Sequence, residues 1–252
     1  EFESYKEYLE SDEWKEYEKE NPELAKEAIE DLITNHQDYR PWLEDDVYIG
    51  SIGYRGNRKL CEVRIVDEIF PTKTNKYFEA TSVSKIEGIE NLNTSNVTDM
   101  SNMFSACTKL TSLNLQSFDT SNVTTMYGMF TGTSIIRLDL SSFSSANLIN
   151  MEAMFAKCTN LVELVLNKEF GNNVVSVTNS EIDMYATLDN GDELIFTRLL
   201  YIPTLDTNIN LQTIYCNENV IKIFDKSMQY HSSKSYIADE TVDGLTKYVL
   251  QS

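Results

Sequence analysis

The chain has 252 residues, 41% of them hydrophobic, and carries 40 Asp/Glu against 21 Lys/Arg for a net charge of −19 at pH 7. That length suffices for one large domain or two small ones with a real core. A negative field of this size repels phosphate backbones and argues against nucleic-acid binding; no run approaches the roughly 18 apolar residues of a membrane span, and no basic-then-apolar start marks a signal peptide.

Residues 1–46 hold 17 Asp/Glu against 5 Lys/Arg, a local net of −12. The stretch SDEWKEYEKENPELAKEAIEDLI reads as helical. Ser11 is placed to cap a first helix, with acids in the turn that follows. Asn21-Pro22 ends that helix and opens a second, proline being acceptable at a first helical position. Leu24, Ala25, Ala28, Ile29 and Leu32 then form an apolar stripe at helical spacing, as Trp14 and Tyr17 do on the shorter helix. The segment is expected to dock as an acidic helical N-terminal cap, its charges forming a solvated face. Residues 47–79 follow as a second unit. Val47, Ile49 and Val63, Ile65 alternate at period two around the Gly-rich GSIGYRGN, which predicts a β-hairpin before Pro71.

From 80 to 170 the chain repeats itself. TSNVTDMSNMF at 94–104 returns as TSNVTTMYGMF at 120–130 and as SANLINMEAMF at 145–155, which spaces Phe104, Phe130 and Phe155 by 26 and 25 residues. Such a period signals a solenoid. In the first half of each copy, positions such as Val97, Met100, Met103 and Phe104 fall on one helical face, and Asn96, Asn122 and Asn147 precede those faces as candidate helix caps. The second halves, LTSLNLQSF, IIRLDLSSF and LVELVLNKEF, read as short strands whose inward residues are leucines. Each copy is therefore expected to be helix, turn, strand, turn, and the stack an α/β solenoid with one short helix and one short strand per repeat. YFEATSVSKIEGIENLN at 77–93 reads as a degenerate earlier copy, with Tyr77-Phe78 in place of Met-Phe and Ile86, Ile89 in place of the leucines. Residues 171–252 read as a β-rich C-terminal cap or continuation. Asp189–Asp192 is expected to turn a hairpin, LQTIYCNENVIKIF to form a further strand pair, and the last forty residues show no helical stripe.

The run KIEGIENLNTSNVTDMSNMFSACTKLTSLNLQSFDTSNVTTMYGMF resembles the BspA-like leucine-rich-repeat surface proteins, in the repeat type of about 25 residues found in mollicutes and lactobacilli. The likeness covers about 85–168. It implies a leucine-rich-repeat-like fold, a place on the cell surface or outside the cell, and a binding role toward a host-matrix or protein ligand. It implies no enzyme and no cofactor.

The residues themselves offer little catalytic chemistry. The two histidines, His36 and His231, lie in acidic and polar surroundings, and no nucleophile elbow, metalloprotease helix or phosphate loop occurs. LDNGDE at 188–193 lacks the spaced ligands and terminal glutamate of a calcium loop. Cys61, Cys107, Cys158 and Cys216 form no C-x-x-C pair, so no metal site is expected. Cys107 and Cys158 match in the first and third copies, where the second has Thr133. Stacked, they would lie about 10 Å apart, beyond disulfide reach. The six repeat methionines are expected in the core. What remains is the polar side of the strands: Ser112, Asn114 and Gln116 in one row, Arg137, Asp139 and Ser141 in the next, Glu163, Val165 and Asn167 in the third. This ladder is the candidate partner-binding surface of a non-enzymatic adhesion or recognition protein. The alternative is an intracellular acidic regulator or inhibitor that docks residues 1–46 on a basic partner.

Overall fold

A computed structural model of the chain describes residues 61–65, 68–179, 184–200, 210–229, 235–242 and 245–251, together with Asp12, Lys15, Glu16 and Lys19. In order, its elements are β1 (Glu62–Arg64), β2 (Lys85–Glu87), a 3₁₀ turn (Ile89–Asn91), β3 (Arg137–Leu140), β4 (Glu163–Leu166), β5 (Val174–Asn179), β6 (Met184–Leu188), β7 (Glu193–Ile195), β8 (Thr213–Cys216), α1 (Glu218–Gln229), β9 (Tyr236–Val242) and β10 (Leu245–Leu250). They make three sheets: the parallel pair β1-β2, a five-stranded sheet in the order β3-β4-β8-β10-β9, and the meander β5-β6-β7.

The α/β solenoid of leucine-rich-repeat type is not what this chain builds. The regular elements of the described residues are mainly strands, gathered in three sheets, with α1 as the one named α-helix, and it lies outside the repeats. The segments expected to be helical in each copy are ribbons of consecutive turns. Their backbone amides alternate in destination. The N–H groups of Asn102, Phe104 and Ala106 donate to Tyr127, Met129 and Thr131 of the next copy, while those of Met103, Ser105 and Cys107 close turns onto Met100, Asn102 and Phe104. A helix would send every amide to its own chain four residues back. Here half of them tie one copy to the next. The alternation needs left-handed residues at every fourth place, and these are Lys76 and Ala80, Asn102 and Ala106, Gly128 and Gly132, Ala153 and Lys157. Parallel bridges continue the ties from Lys73 to Asp99, Thr125, Asn150 and Ile195.

The composition explains the choice. Ser, Thr and Asn are poor helix formers because their side chains compete for nearby amides. Asp99, Thr125 and Asn150 do so at equivalent places, accepting the N–H of Ser101, Tyr127 and Glu152. The expected caps also take another role: Asn122 and Asn147 donate their side-chain amides to the carbonyls of Ser95 and Ser121 in the preceding copy, at 2.8 and 2.7 Å. Inside the turns, Thr120 Oγ1 donates to the Ser144 carbonyl and accepts the Ser144 N–H at 2.7 Å.

The expected core is the observed one. Met100, Met103, Met126, Met129, Met151 and Met154 are all buried, as are the strand leucines Leu115, Leu138, Leu140, Leu164 and Leu166. Leu113 is only partly buried. Phe78, Phe104, Phe130 and Phe155 stack in a column with ring centroids 5.4, 5.7 and 6.0 Å apart, and Phe224 of α1 closes it. Phe78 thus occupies the Met-Phe place of the degenerate copy, beside buried Tyr77.

Past residue 170 the stack continues in a form the sequence concealed. Ile195 bridges Asn150, and the Thr197 and Leu199 carbonyls accept from Ala153 and Phe155. β8 extends the parallel strands by pairing with β4. The expected hairpin at Asp189–Asp192 is present, joining β6 to β7. The expected strand pair at 211–224 is instead a strand and a helix, because Asn217 Oδ1 accepts the N–H groups of Asn219 and Val220 and starts α1. The helix buries Val220, Ile223, Phe224 and Ser227, an i, i+3, i+4, i+7 stripe. The hairpin expected in 47–79 has its first strand outside the described residues, and β1 pairs in parallel with β2. Of residues 1–46 only Asp12, Lys15, Glu16 and Lys19 are described, all helical and exposed.

Candidate functional site

β3, β4 and β8 lie side by side in parallel register. Arg137 faces Glu163, which faces Thr213, and Asp139 faces Val165, which faces Tyr215. Side chains alternate across a strand, so the leucines between them turn to the core and these residues turn outward. Ser112, Asn114, Gln116, Arg137 and Asp139 are exposed, whereas Ser141, Glu163, Val165 and Asn167 are half-buried. Three contacts tie the rows together. The Arg137 guanidinium lies 2.8 Å from the Glu163 carboxylate, Gln116 Nε2 donates to Ser141 Oγ at 3.2 Å, and Asn167 Nδ2 donates to the Ser141 carbonyl at 2.7 Å. The sequence-derived ladder is therefore one surface, but not all of it is free. Asn114 and Asp139 each spend an oxygen on the amide of Gln116 and Ser141, and Asn167 spends its oxygen on Glu169. Asn167 is a turn former first.

The surface extends further than the ladder. β10 joins the sheet antiparallel to β8, with Val249 opposite Thr213 and Lys247 opposite Tyr215; β9 follows, with Ile237 opposite Val249 and Glu240 opposite Lys247. Two rows thus cross the sheet, Thr213, Val249 and Ile237 in one and Val165, Tyr215 and Lys247 in the other, with Ile237 47% exposed. Ion pairs stand in these rows: Arg137 with Glu163, and Lys247, beside Tyr215, with Asp239 at 2.8 Å and Glu240 at 3.5 Å. The hydrogen bond to Asp239 raises the Lys247 pKa, so the charge at that end is fixed. Sequence reading missed Tyr215, although LQTIYCN echoes LVELVLN closely enough to have shown it. The addition of β9 and β10 left no such echo.

Other chemistry is sparse. The four cysteines are free, with Cys61 exposed and Cys107, Cys158 and Cys216 buried. Cys107 Sγ donates to the Phe78 carbonyl at 2.9 Å and lies 3.6 Å from Thr81 Oγ1. Cys158 repeats this with Phe130 and Thr133. Burial pushes the Cys107 thiol up to about 12, and raises Cys158 and Cys216 as well. These thiols are protonated packing groups, not nucleophiles. Among the described residues no group of three or more His, Cys, Asp or Glu is placed to hold a metal ion. His36 and His231 lie outside them. No helix among them is long and apolar enough to cross a membrane.

Residues 72–191, just under half of the chain, match a family described as "Mycoplasma protein of unknown function, DUF285". The matched span takes in the repeats with β5 and β6 and ends in the β6–β7 turn. It points to the mollicute side of the resemblance and carries no leucine-rich-repeat identification. No curated protein and no solved structure matches the chain.

Proposed function

We propose that this chain is a non-enzymatic recognition protein of the bacterial surface or secreted space, which binds an extended protein or host-matrix ligand across the outer face of β3, β4, β8, β10 and β9. One observation carries the reading: this face presents Tyr215 between Val165 and Lys247 in one row, with Thr213, Val249 and Ile237 in the row beside it and ion pairs at Arg137–Glu163 and Lys247–Asp239. An aromatic residue among apolar and charged side chains is the usual anatomy of a contact region. The likeness of the repeats to BspA-like surface proteins supports the location and the role, and the match to a Mycoplasma family of unknown function agrees with the mollicute side of that likeness.

The test uses the full chain against immobilised fibronectin, fibrinogen and laminin. Tyr215→Ala with Arg137→Ala is expected to weaken capture about tenfold or more at an unchanged melting temperature. Removal of residues 1–46 should leave capture intact. Binding that survives the double substitution but vanishes with the acidic segment would sink the proposal in favour of docking through that segment.

A further inference from the structure

The place where the chain departs from its own repeat carries a second site. In the earlier copies the chain runs from the turns at 94–96, 120–122 and 145–147 directly to the bridge positions Asp99, Thr125 and Asn150. The next copy reaches the equivalent point at Gly171, whose N–H donates to Ser145 Oγ as Ser144 does to Thr120. It then detours through β5, β6 and β7 before arriving at Ile195. The detour does not fill the space beside the preceding turn. It walls it, leaving a cleft of about 520 Å³ between the turn at Ser144, the segment Glu169–Asn173 and the β6–β7 turn at Asp189 and Asn190.

The lining sets amide, hydroxyl and carboxylate groups among the methyl of Ala146 and side-chain methylenes, with no aromatic residue and no Lys or Arg. Part of it is committed. Asn190 holds Asp192 through both its amide groups, and Asn172 donates to Glu169 while accepting from Asn217. Other capacity is open. Ser144 Oγ accepts the Ala146 N–H, which leaves its O–H to donate. The Asn173 amide and the Asp189 carboxylate have no hydrogen-bond partner among the described residues.

We infer that this cleft, which borders the polar ladder at Asn167 and does not include Tyr215, binds a neutral saccharide. A ligand here must donate to carboxylate oxygens and accept from an amide and a hydroxyl within a few ångströms. Adjacent sugar hydroxyls do both, each being a donor and an acceptor. Anionic ligands would meet Glu169 and Asp189 with no cation to offset them. An apolar ligand would strip water from the exposed Glu169 and Asp189 carboxylates and return no hydrogen bond in its place. A calcium ion takes six to eight oxygens, and Asp189 with a Glu169 carboxylate already shared with Asn172 is a poor set. The volume falls in the range of small-ligand sites and suits one or two sugar rings.

The experiment is saturation-transfer NMR on the full chain with maltose, cellobiose, lactose, mannobiose and chitobiose, and with glucuronic acid as the charged control. At least one neutral disaccharide should give signal. Asp189→Ala with Asn173→Ala should abolish it or weaken binding at least tenfold. The melting temperature should hold, because neither side chain makes a hydrogen bond that folding depends on, and matrix-protein capture should also be unaffected. Signal from none of the disaccharides, signal that persists in the double variant, or equal signal from glucuronic acid would each overturn the inference. So would a melting temperature raised by calcium chloride and not by any sugar.

Discussion

At the level of single residues, the repeat specifies side chains by the space between stacked rungs. The column Thr81, Cys107, Thr133, Cys158 shows this best. Thiol and hydroxyl alternate, each cysteine lies 3.6 Å from the hydroxyl of the copy before it, and each donates to a phenylalanine carbonyl one copy back. The expectation that Cys107 and Cys158 stay unbonded was legible because period and strand spacing together fix their separation. The proton balance gives a test. The folded state raises the Cys107 pKa from an ordinary 9.0 to about 12, so folding favours the protonated thiol. Its contribution is complete below pH 9 and is lost as pH rises toward 12, at about 1.4 kcal/mol per unit. Urea denaturation should show stability falling over that window, and Cys107→Thr, which copies Thr81 and Thr133, should make the fall shallower, with Cys158 and Cys216 keeping the rest. A thiolate reagent at pH 8 should label one cysteine, Cys61, in the folded chain and four in urea. Labelling of Cys107 at the same rate would refute this account.

At the level of elements, the largest disagreement between sequence and structure has a physical cause. Val97, Met100, Met103 and Phe104 recur at three- and four-residue steps, and a helix and a run of three-residue turns bury such a pattern equally well. The hydrophobic period could not separate them. The Ser, Thr and Asn content could have, since these residues capture amides locally, as Asp99 and Asn150 do. The helix that does form, α1, was missed because its buried stripe begins directly behind a strand. Asn217 makes that junction: its oxygen caps the helix, and its amide nitrogen donates to the carbonyls of Lys168 and Phe170. Asn217→Ala should therefore cost about 1–2 kcal/mol for the cap alone and more for the lost ties, read as a lower urea midpoint. Asn217→Asp, which keeps the acceptor and removes the donor, should fall between the two. An Asn217→Ala chain as stable as the parent would refute the junction's role.

At the level of the whole molecule, charge and stacking act in opposite directions. Backbone ties and the phenylalanine column hold the rungs together, while a net charge of −19 pushes the molecule apart. Salt screens that repulsion more than it weakens the few exposed ion pairs, which are worth little individually. The melting temperature should rise by a few degrees between about 0.02 and 0.5 M sodium chloride, measured by calorimetry; a fall would mean that ion pairs outweigh repulsion.

Sequence alone settled what depends on period and polarity. It identified the repeating unit, the methionines, phenylalanines and leucines that fill the core, the polar row on the strands, and the turn at Asp189–Asp192. It did so because burial on one face leaves a regular mark along the chain. Tertiary structure decided what depends on where backbone groups find partners. It sent alternate amides to the next copy instead of into helices and carried β8 onto the parallel stack. It also set β9 and β10 beside Tyr215 and opened the cleft where the chain leaves its repeat. A backbone N–H carries no record in the sequence of which carbonyl it will meet, and those meetings placed both candidate surfaces.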